Sequence, residues 1–347
     1  MKKKIAIIGA GWFGCHIASE ILKLKKFDIK IFEKNNQIFD GASSNNQNRL
    51  HLGFHYPRSK ITRSQSKNSY KKFLKDYPFL CKKVKNNIYS IAKSKYTKLD
   101  FETFLQIMKA ENLNFKIINE KRFDLKNISG SIKTDEMLID MEKSKKYFYQ
   151  KLKSHLSLNH EIKKIKKVNN KFLIDNNLYD YVFNCTYYQK FVQVPIEVYY
   201  EVTTSLIYKC SKYFPALTLM DGPFFTIYPL KKNYYNIYSV VHSRFGKSKK
   251  IFKCEKMLSK IRKNKRFLNK KKFLIEKQIS NFYPNFKKNF KFDKYLTCIR
   301  TLNDTENAER SYKIYKNGNS FNVYSGKIDH IISAGKEIIN FFKKIKV

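Results

Sequence analysis

Three glycines and one acid near the amino terminus have the spacing of a dinucleotide-binding site. Gly9, Gly11 and Gly14 form the pattern G-x-G-x-x-G, and Glu33 follows 22 residues after the middle glycine. The first glycine allows a sharp turn, the second lets the backbone approach a phosphate, and the third lets a helix pack closely on a strand. A carboxylate at the distance of Glu33 accepts hydrogen bonds from ribose hydroxyls and disfavours a 2′-phosphate. These residues therefore predict binding of a dinucleotide.

A second group of residues that could do chemistry lies in the segment 41–58. It begins with Gly41-Ala42-Ser43-Ser44 and continues with several amides, two arginines, a tyrosine, His51 and His55, yet it contains no lysine. Because the rest of the chain is rich in lysine, this local departure indicates positions where residue identity matters. The two histidines have the spacing of a metal-binding pair on a helix, but Gly53 lies between them and no third ligand is nearby. We therefore expect no metal site in this segment.

The apolar pattern predicts the elements that position these residues. Residues 5–8 are typical of a buried parallel strand, and a helix follows to about Lys25 with a buried stripe at Ile17, Ile21 and Leu24. A second strand at 29–32 ends next to Glu33. The later segments predict a basic helix at 143–156, strands at 161–186 around turns at 169–170 and 176–177, long antiparallel strands at 197–241, a basic helix at 256–272 and a final amphipathic helix at 328–345.

Composition limits the class of protein. A length of 347 residues with 42% hydrophobic content is enough for two domains or one large one. The formal charge of +43 would on its own indicate nucleic acid or an anionic surface. The lysines, however, are spread along the chain and accompany abundant Asn, Ile, Phe and Tyr, as expected of an A+T-rich genome. We therefore interpret the densest runs, at 82–85, 163–167 and 260–272, as solvated faces, and expect the charge to favour solubility and anionic substrates.

The cysteines and the apolar segments bear on location. Six cysteines lie far apart with no C-x-x-C pair, which predicts a reduced, cytoplasmic protein. The start Met1-Lys2-Lys3-Lys4 imitates a signal peptide, but three glycines interrupt the apolar stretch that follows. No later segment reaches the ~20 apolar residues of a membrane span. We expect no membrane span and no dedicated nucleic-acid-binding module, while a peripheral membrane contact stays open.

On these motifs the sequence resembles the flavin-dependent oxidoreductases of the D-amino-acid oxidase type, a family that includes glycine and sarcosine oxidases. The resemblance rests on the glycine pattern, Glu33 and the Ala42-Ser43-Ser44 loop. Residues 181–186 are similar to the family's strand that returns to the cofactor, with Tyr187 where a glycine usually stands. Three further segments resemble the substrate sheet, the arginine-bearing segment and the closing cofactor strand: 220–229, 298–300 with Asp304 and Arg310, and 323–327.

The resemblance implies FAD as the cofactor and an α/β fold. A Rossmann-like FAD-binding domain, discontinuous in the sequence, is expected at 1–75, 140–190 and 296–347. A substrate domain with a mixed or antiparallel sheet is expected at 76–139 and 191–295. The residues expected to bind the cofactor are Gly9, Gly11, Trp12, Phe13, Gly14, Glu33, Lys34, Ala42, Ser43, Ser44, Thr186, Gly326 and Lys327.

The chemistry that follows is hydride transfer to flavin from a carbon that bears an amine or a hydroxyl. The protein then has to orient that C–H bond and exclude water. Arginine suits a bidentate grip on a substrate carboxylate, so Arg300 and Arg58 are the candidates for that contact. His51 and His55 are candidates for polarising the substrate or the flavin edge. Covalent attachment of flavin to a histidine in this loop stays an alternative that the resemblance leaves open.

Three functions are compatible with the sequence. The first is an FAD-dependent oxidoreductase that acts on an amine, an amino acid or an amino sugar, with a small anionic or amine-bearing substrate. The second is a flavin-dependent mutase of nucleotide sugars or another sugar-modifying enzyme, because several donors in the segment 45–58 would suit a sugar. The third, motivated by the charge, is flavin-dependent modification of RNA, although no RNA-binding module is recognisable.

Overall fold

The computed structural model describes residues 2–187, 191, 198–303, 311–324 and 326–344. The helices in these ranges are α1 (Trp12–Leu22), α2 (Lys60–Asp76), α3 (Phe101–Ala110), α4 (Met141–Leu152), α5 (Ile251–Lys263), α6 (Lys265–Ser280), α7 (Phe286–Asn289) and α8 (Ile331–Lys344). Short 3-10 turns lie at Pro78–Leu80, Glu120–Phe123, Lys153–His155 and Ile328–His330. The strands are β1 (Lys3–Ile8), β2 (Phe27–Phe32), β3 (Arg49–Leu50), β4 (Cys81–Lys83), β5 (Asn87–Ala92), β6 (Phe115–Ile118), β7 (Ile128–Thr134), β8 (Met137–Ile139), β9 (Leu156–Ser157), β10 (Lys166–Val168), β11 (Lys171–Ile174), β12 (Asn177–Tyr179), β13 (Tyr181–Asn184), β14 (Val198–Cys210), β15 (Ala216–Met220), β16 (Phe225–Lys231), β17 (Tyr234–Ser239), β18 (Arg244–Ser248), β19 (Phe290–Asn303), β20 (Lys313–Asn317) and β21 (Ser320–Tyr324).

A six-stranded sheet carries the amino-terminal motif. Its strand order is β20-β21-β13-β1-β2-β9, and every neighbouring pair except β20 and β21 is parallel. The helix α1 connects β1 to β2, and α8 packs against α1. The strands come from separate parts of the chain, so the prediction of a discontinuous, Rossmann-like α/β unit is confirmed.

The strand β1 is buried on both faces, which explains its uninterrupted apolar run. Ile5 and Ile7 belong to the core shared with α1 and α8, whereas Ala6 and Ile8 contact a second cluster that includes Phe172. That second cluster lies under a small antiparallel sheet of β10, β11 and β12. Because both faces of β1 are covered, a polar side chain within this strand would be removed from water, which would cost stability.

A larger sheet lies beside the first and forms the second half of the fold. Its order is β18-β14-β17-β16-β15-β5-β7-β6, with β19 also paired to β14, and the described pairs are antiparallel except β15 with β5. The helices α5 and α6 cover one face through Cys254, Ile261, Ile275 and Ile279. The opposite face carries the side chains that line the candidate site.

Most of the predicted elements are present, with some shifted ends. The helix α1 ends at Leu22, and Lys25 already has a left-handed φ of 56°. The strand β2 begins at Phe27, and the second predicted turn is formed by Asp175 and Asn176. The long antiparallel strands are confirmed as β14, β16 and β17. The final helix α8 follows a 3-10 turn, and its predicted end at 345 lies outside the described residues.

The prediction of one basic helix at 256–272 is wrong. Two helices occupy this part of the chain, α5 and α6, and they are separated at Asn264. Asn264 leaves the helical conformation, with φ −98° and ψ 81°, and its side chain accepts a hydrogen bond from the backbone N–H of Phe267 at 2.9 Å. Asparagine is among the strongest helix N-cap residues, so it ends one helix and begins the next.

The predicted domain division differs from the sheets at one boundary. The segment 296–347 was assigned to the cofactor domain, but β19 runs from Phe290 to Asn303 and pairs along its length with β14 in the larger sheet. The division into two domains otherwise stays a prediction. No helix in the described ranges is both long and apolar enough to cross a membrane.

Candidate active site

The glycine pattern forms a turn that only glycine fits. Gly9 has a φ of +100°, and a Cβ atom added there would lie 2.7 Å from the carbonyl oxygen of Cys185. A Cβ atom at Gly14 would lie only 1.9 Å from the carbonyl oxygen of Gly9. Gly11 is the N-cap of α1 and provides no side-chain cap, and the start of a helix without such a cap fits the binding of an anion.

The carboxylate of Glu33 points back at this turn. One oxygen accepts the backbone N–H of Ala10 at 2.8 Å, and the other accepts the N–H of Asn35 at 3.0 Å. Glu33 is only 8% exposed, whereas Lys34 beside it is exposed and lines the same cavity. The end of β2 therefore holds a fixed carboxylate next to the start of α1, as ribose recognition requires.

The loop after β2 covers the start of α1. The Ser43 hydroxyl accepts a hydrogen bond from the backbone N–H of Trp12 at 3.2 Å, and a Cβ atom at Gly11 would lie 3.0 Å from the same oxygen. The Trp12 ring is buried and stacks on Phe39 with 4.6 Å between centroids. Trp12 and Phe13 are both buried, and the Trp12 ring packs in the core next to the cavity.

A cavity of about 1120 Å³ extends from the glycine turn to the larger sheet. It is larger than the usual ~300–1,000 Å³ of a ligand pocket. All but two of the predicted site residues line it. The exceptions are Gly14 and Ser44. Gly14 allows the close contact between α1 and the glycine turn, and the Ser44 hydroxyl donates to the carbonyl oxygen of Phe39 at 2.6 Å. The side chain of Thr186 lines the cavity while its hydroxyl donates to Asn184 at 2.7 Å.

Buried polar atoms along the cavity fit a large polar ligand. Seven residues that line it each have a buried polar atom with no hydrogen-bond partner among the described residues: Trp12 Nε1, Asn48 Oδ1, Arg49 Nε, Ser205 Oγ, Asn236 Oδ1, Tyr238 OH and Asp329 Oδ2. Leaving such an atom unpaired costs about 1–3 kcal/mol. Together with the glycine turn and Glu33, these atoms fit a dinucleotide and a polar substrate bound in one cavity.

Arg300 lies in the cavity wall and is held by one acid. Its Nε and Nη2 atoms lie 2.6 Å and 2.5 Å from the Oε2 atom of Glu201. Arg244 approaches the other oxygen of Glu201 at 3.6 Å, so two guanidinium groups share a single carboxylate. Burial opposes the charge of Arg300, but Tyr238 and Glu201 together raise its pKa above the ordinary value. The group is therefore charged, and its cluster carries one net positive charge.

Arg58 is placed differently from Arg300. Its Nε atom lies 2.6 Å from the carboxylate of Asp221, which follows β15, and 56% of its side chain is exposed. Arg58 therefore lies at the rim of the cavity in an ion pair.

The predicted histidines, His51 and His55, also line the cavity. The rings of His51 and His55 are 5.4 Å apart, and Tyr56 lies 5.1 Å from His55. Lys327 places its Nζ atom 4.1 Å from the centre of the Tyr56 ring and also donates to Ser66. Within the described ranges, no group of three His, Cys, Asp or Glu side chains could hold a metal ion.

A buried hydrogen-bond network of Arg49, Tyr89 and Glu136, which the sequence did not predict, lies beside the cavity and reaches it through Arg49. Arg49 donates to the Tyr89 hydroxyl at 2.5 Å, and Tyr89 in turn donates to Glu136 at 2.5 Å. Arg49 also stacks over Tyr228 at 4.1 Å. Burial raises the pKa of Glu136, although Arg49 opposes this effect. The absence of lysine around Arg49 was a usable signal for this residue, whereas nothing in the sequence near Glu136 or Tyr89 indicated a role.

Three other predicted residues lie outside the described part of the chain. They are Asp304, Arg310 and Ser325, which belong to segments that resemble the family. Gly326, next to the last of these, lines the cavity.

Comparison with known proteins agrees with this geometry. The family model described as FAD dependent oxidoreductase (DAO) matches residues 4–229. The FAD-dependent monooxygenase FPY4 of Fusarium mangiferae is 32% identical to this chain over 97% of its length and 90% of the relative. Glycine oxidase from Geobacillus kaustophilus has a similar structure, with a TM-score of 0.71, 12% identity, and coverage of 100% of this chain and 96% of that one. L-alpha-glycerophosphate oxidase from Mycoplasma pneumoniae, crystallised with FAD bound, gives a TM-score of 0.72 with 12% identity over 99% of this chain and 96% of that one. The chain therefore belongs to the DAO family of FAD-dependent oxidoreductases.

Proposed function

We propose that this FAD-dependent enzyme removes hydride from a carbon that bears an amine, in a small amino acid, amine or amino sugar, and that Arg300 anchors the substrate. The observation that carries this proposal is the position of Arg300: a charged guanidinium in the wall of the cavity that also contains the glycine turn. Arg300 is fixed on Glu201 through Nε and Nη2. A substrate anion would therefore be received on the Nη1 side of the group.

The charge around Arg300 supports an anionic group on the substrate. Because Arg244 and Arg300 share Glu201, the cluster keeps one positive charge after internal pairing. Arg58 is the second candidate for the same contact, but it would first have to leave Asp221, its partner at 2.6 Å. Breaking that pair costs binding energy, so we assign the main anchoring role to Arg300.

The sheet around Arg300 offers polar contacts for the rest of the substrate. Alternate residues of neighbouring strands face the cavity: Thr203 and Ser205 on β14, Thr226 on β16, and Asn236 and Tyr238 on β17. Because side chains alternate between the two faces of a strand, this spacing places the five on one wall. Ser205, Asn236 and Tyr238 each have a buried polar atom without a partner among the described residues. Such a wall fits an amine or hydroxyl group of the substrate better than a hydrocarbon.

The chain's residues would bind and shield the reacting groups. Gly11 and Glu33 would hold the pyrophosphate and ribose, and the 43–58 segment would cover the other end of the cofactor. When bound, FAD supplies the acceptor for the electron pair of the broken C–H bond. His51 and His55, which belong to this segment and line the cavity, would polarise the substrate amine. Enclosing the substrate between the sheet wall and the loop would exclude water from it.

A second candidate is insertion of oxygen into the substrate. It is favoured by one observation: the relative that is 32% identical is named a monooxygenase. The two chemistries differ in their product, because only a monooxygenase transfers an atom from O₂. Turnover under ¹⁸O₂ followed by mass spectrometry of the product separates them. The sugar mutase hypothesis predicts turnover without net consumption of an electron acceptor, and the RNA hypothesis predicts that an RNA substrate is modified.

The direct experiment is anaerobic reduction of the bound flavin. Amines, amino acids, amino sugars, 2-hydroxy acids and nucleotide sugars are added in turn, and bleaching of the flavin absorbance is recorded. We expect bleaching by at least one amine-bearing compound. If only hydroxy acids or nucleotide sugars bleach the flavin, or if none does while dithionite reduces it fully, the proposal is wrong.

Replacing Arg300 by methionine tests the anchor. We expect the KM for a carboxylate substrate to rise about tenfold to a hundredfold with unchanged flavin content, because a charged hydrogen bond is lost. Arg244→Met is the comparison variant: it removes the same net charge from the cluster but keeps the Arg300 guanidinium in the cavity wall, so we expect a smaller rise in KM. An unchanged KM in Arg300→Met, or an equal rise in both variants, would assign the anchoring role elsewhere.

A further inference from the structure

We propose that the outer face of α5 and α6 docks the enzyme onto a lipid surface that carries anionic headgroups. This face, the basic aromatic face, is defined by two rows of exposed residues: Phe252, Lys256, Lys260 and Lys263 on α5, and Arg266, Lys270, Phe273 and Lys277 on α6.

The charge of this region exceeds what the composition of the chain explains. Between residues 244 and 280, 15 of 37 residues are Lys or Arg and only two are acidic. The whole chain has 71 basic residues in 347, about half that density. The local excess therefore needs a reason beyond the general abundance of lysine, and an anionic partner supplies one.

Each helix presents the same arrangement to the outside. The spacing i, i+4, i+8, i+11 on α5 and i, i+4, i+7, i+11 on α6 puts each set on one side of its helix. Each row contains three cations and one phenylalanine. Phe252 is 59% exposed and Phe273 is 54% exposed, so both rings are accessible from the solvent.

The inner faces of both helices fix this orientation. Cys254 and Ile261 of α5 are buried against β14 and β19, and Ile275 and Ile279 of α6 are buried in the core of the larger sheet. Rotating either helix to bury its phenylalanine would expose these residues. Because burying one apolar side chain is worth about 1.5–3 kcal/mol, the rings stay outside.

The combination of cations and exposed rings favours lipid over nucleic acid. Lysine and arginine beside an anionic membrane each contribute to attraction, and Phe inserts at the boundary between headgroups and acyl chains. Single-stranded nucleic acid is bound instead in a positively charged groove that tracks its backbone and offers stacking rings. Here the rings lie on the outer sides of two helices packed on a sheet, and the cavity described above reaches this region only at its edge, through Arg244 and Glu255.

Docking on this face would bring the cavity edge towards the lipid. Arg244 on β18 and Glu255 on α5 line the cavity and flank the rows of the basic aromatic face. The inference depends on surface residues alone and not on the substrate proposed above, so either can fail without the other.

Flotation of the FAD-loaded enzyme with vesicles tests the docking. Vesicles of phosphatidylcholine alone are compared with vesicles containing phosphatidylserine, at low and high salt. We expect binding to the anionic vesicles at low salt, at least tenfold weaker binding to neutral ones, and release at high salt. Absence of binding to the anionic vesicles would overturn the inference.

Two matched variants locate the contact. The first combines Phe252→Ser, Lys256→Gln and Lys260→Gln; the second combines Tyr149→Ser, Lys143→Gln and Lys146→Gln on α4, where Tyr149 is 47% exposed. Both remove one exposed ring and two cations. We expect the first to weaken binding by more than ~25-fold, about fivefold for each cation, and the second to leave it unchanged.

Vesicle binding by these variants can also contradict the inference. Equal weakening in both would show that only the total charge matters. Displacement of the enzyme from vesicles by single-stranded RNA, with no effect of Phe252→Ser and Phe273→Ser at constant charge, would indicate a nucleic-acid surface instead. Flavin content and thermal unfolding show whether each variant is folded. If the triple variant is unfolded, the single variants Phe252→Ser and Phe273→Ser are used in its place.

Discussion

At the scale of single residues, the structure places Glu33 beside the glycine turn, where the sequence predicts it, and its role in binding ribose stays a prediction. The position 22 residues after Gly11 was enough to select it, and its carboxylate does contact the glycine turn through Ala10 at 2.8 Å. For Trp12, the glycine motif predicts the position of the backbone but not the direction of the ring. The ring packs on Phe39, a contact that depends on where a later loop folds.

Replacing Glu33 by alanine is expected to weaken FAD binding by about tenfold to a hundredfold. The reason is the loss of charged hydrogen bonds to the ribose, each worth about 1.5–3 kcal/mol. Glu33→Gln keeps an acceptor for Ala10 and is expected to lose less. Dissociation constants come from titration of the stripped protein with FAD. Asp28→Ala, on the exposed side of the same strand, is the control, and equal affinities in Glu33→Ala and Asp28→Ala would remove Glu33 from the site.

His16 gives a prediction about stability and pH. It is 2% exposed, hydrogen-bonded with Tyr77 at 2.7 Å, and burial, with smaller effects of Lys23 and Lys151, lowers its pKa to about 3. Between about pH 6.5 and pH 3 the unfolded chain binds a proton that the folded chain does not. Stability is therefore complete above about pH 6.5 and falls as the pH falls through this window.

The size of this effect can be measured against a variant. From about pH 7.5 to pH 5 the wild type is expected to lose about 2 kcal/mol relative to His16→Gln. The reason is that, within the window, each step of one pH unit changes the free energy of unfolding by about 1.4 kcal/mol. Urea unfolding at the two pH values gives the free energies. His155→Gln, at a partly exposed position, is the control, and the same pH dependence in wild type and His16→Gln would show that another group causes it.

At the scale of elements, the unit of β1, α1 and β2 was predictable because its signals are local. An apolar run, three glycines and a helical stripe lie within one stretch of sequence, and tertiary contacts only moved the ends by two or three residues. The break between α5 and α6 was not predicted, because lysines lie on both sides of Asn264 and the segment therefore resembles one continuous basic helix. The N-cap function of Asn264 depends on the chain direction at that residue, which periodicity alone does not give.

Gly14→Ala tests the contact between α1 and β1. The added methyl group would lie 1.9 Å from the carbonyl oxygen of Gly9, so helix and strand must separate. We expect a loss of about 2–3 kcal/mol in unfolding free energy together with loss of bound FAD. Gly41→Ala is the matched control, because an added Cβ there meets nothing within 4 Å. Similar stability and flavin content in both variants would contradict the described packing.

At the scale of the whole molecule, the cavity is formed by segments that are far apart in the sequence. The sequence singled out Gly9, Gly11, Glu33 and Arg300, which all line this cavity, because a motif or a family resemblance marks them. It did not predict the pairing of Arg300 with Glu201, or the network of Arg49, Tyr89 and Glu136. These contacts join β14 to β19, and they join β3 to β5 and to the turn between β7 and β8; no local pattern encodes such a meeting.

We propose that FAD and the Arg300 wall share one cavity. The most direct test is to load the enzyme with FAD and titrate it with a simple, non-oxidisable carboxylate while recording the visible flavin spectrum. We expect about one FAD per chain and a saturable shift of the flavin bands, with at least tenfold weaker carboxylate binding in Arg300→Met. A protein that stays colourless with excess FAD, or a flavin spectrum that responds identically in wild type and Arg300→Met, would contradict it.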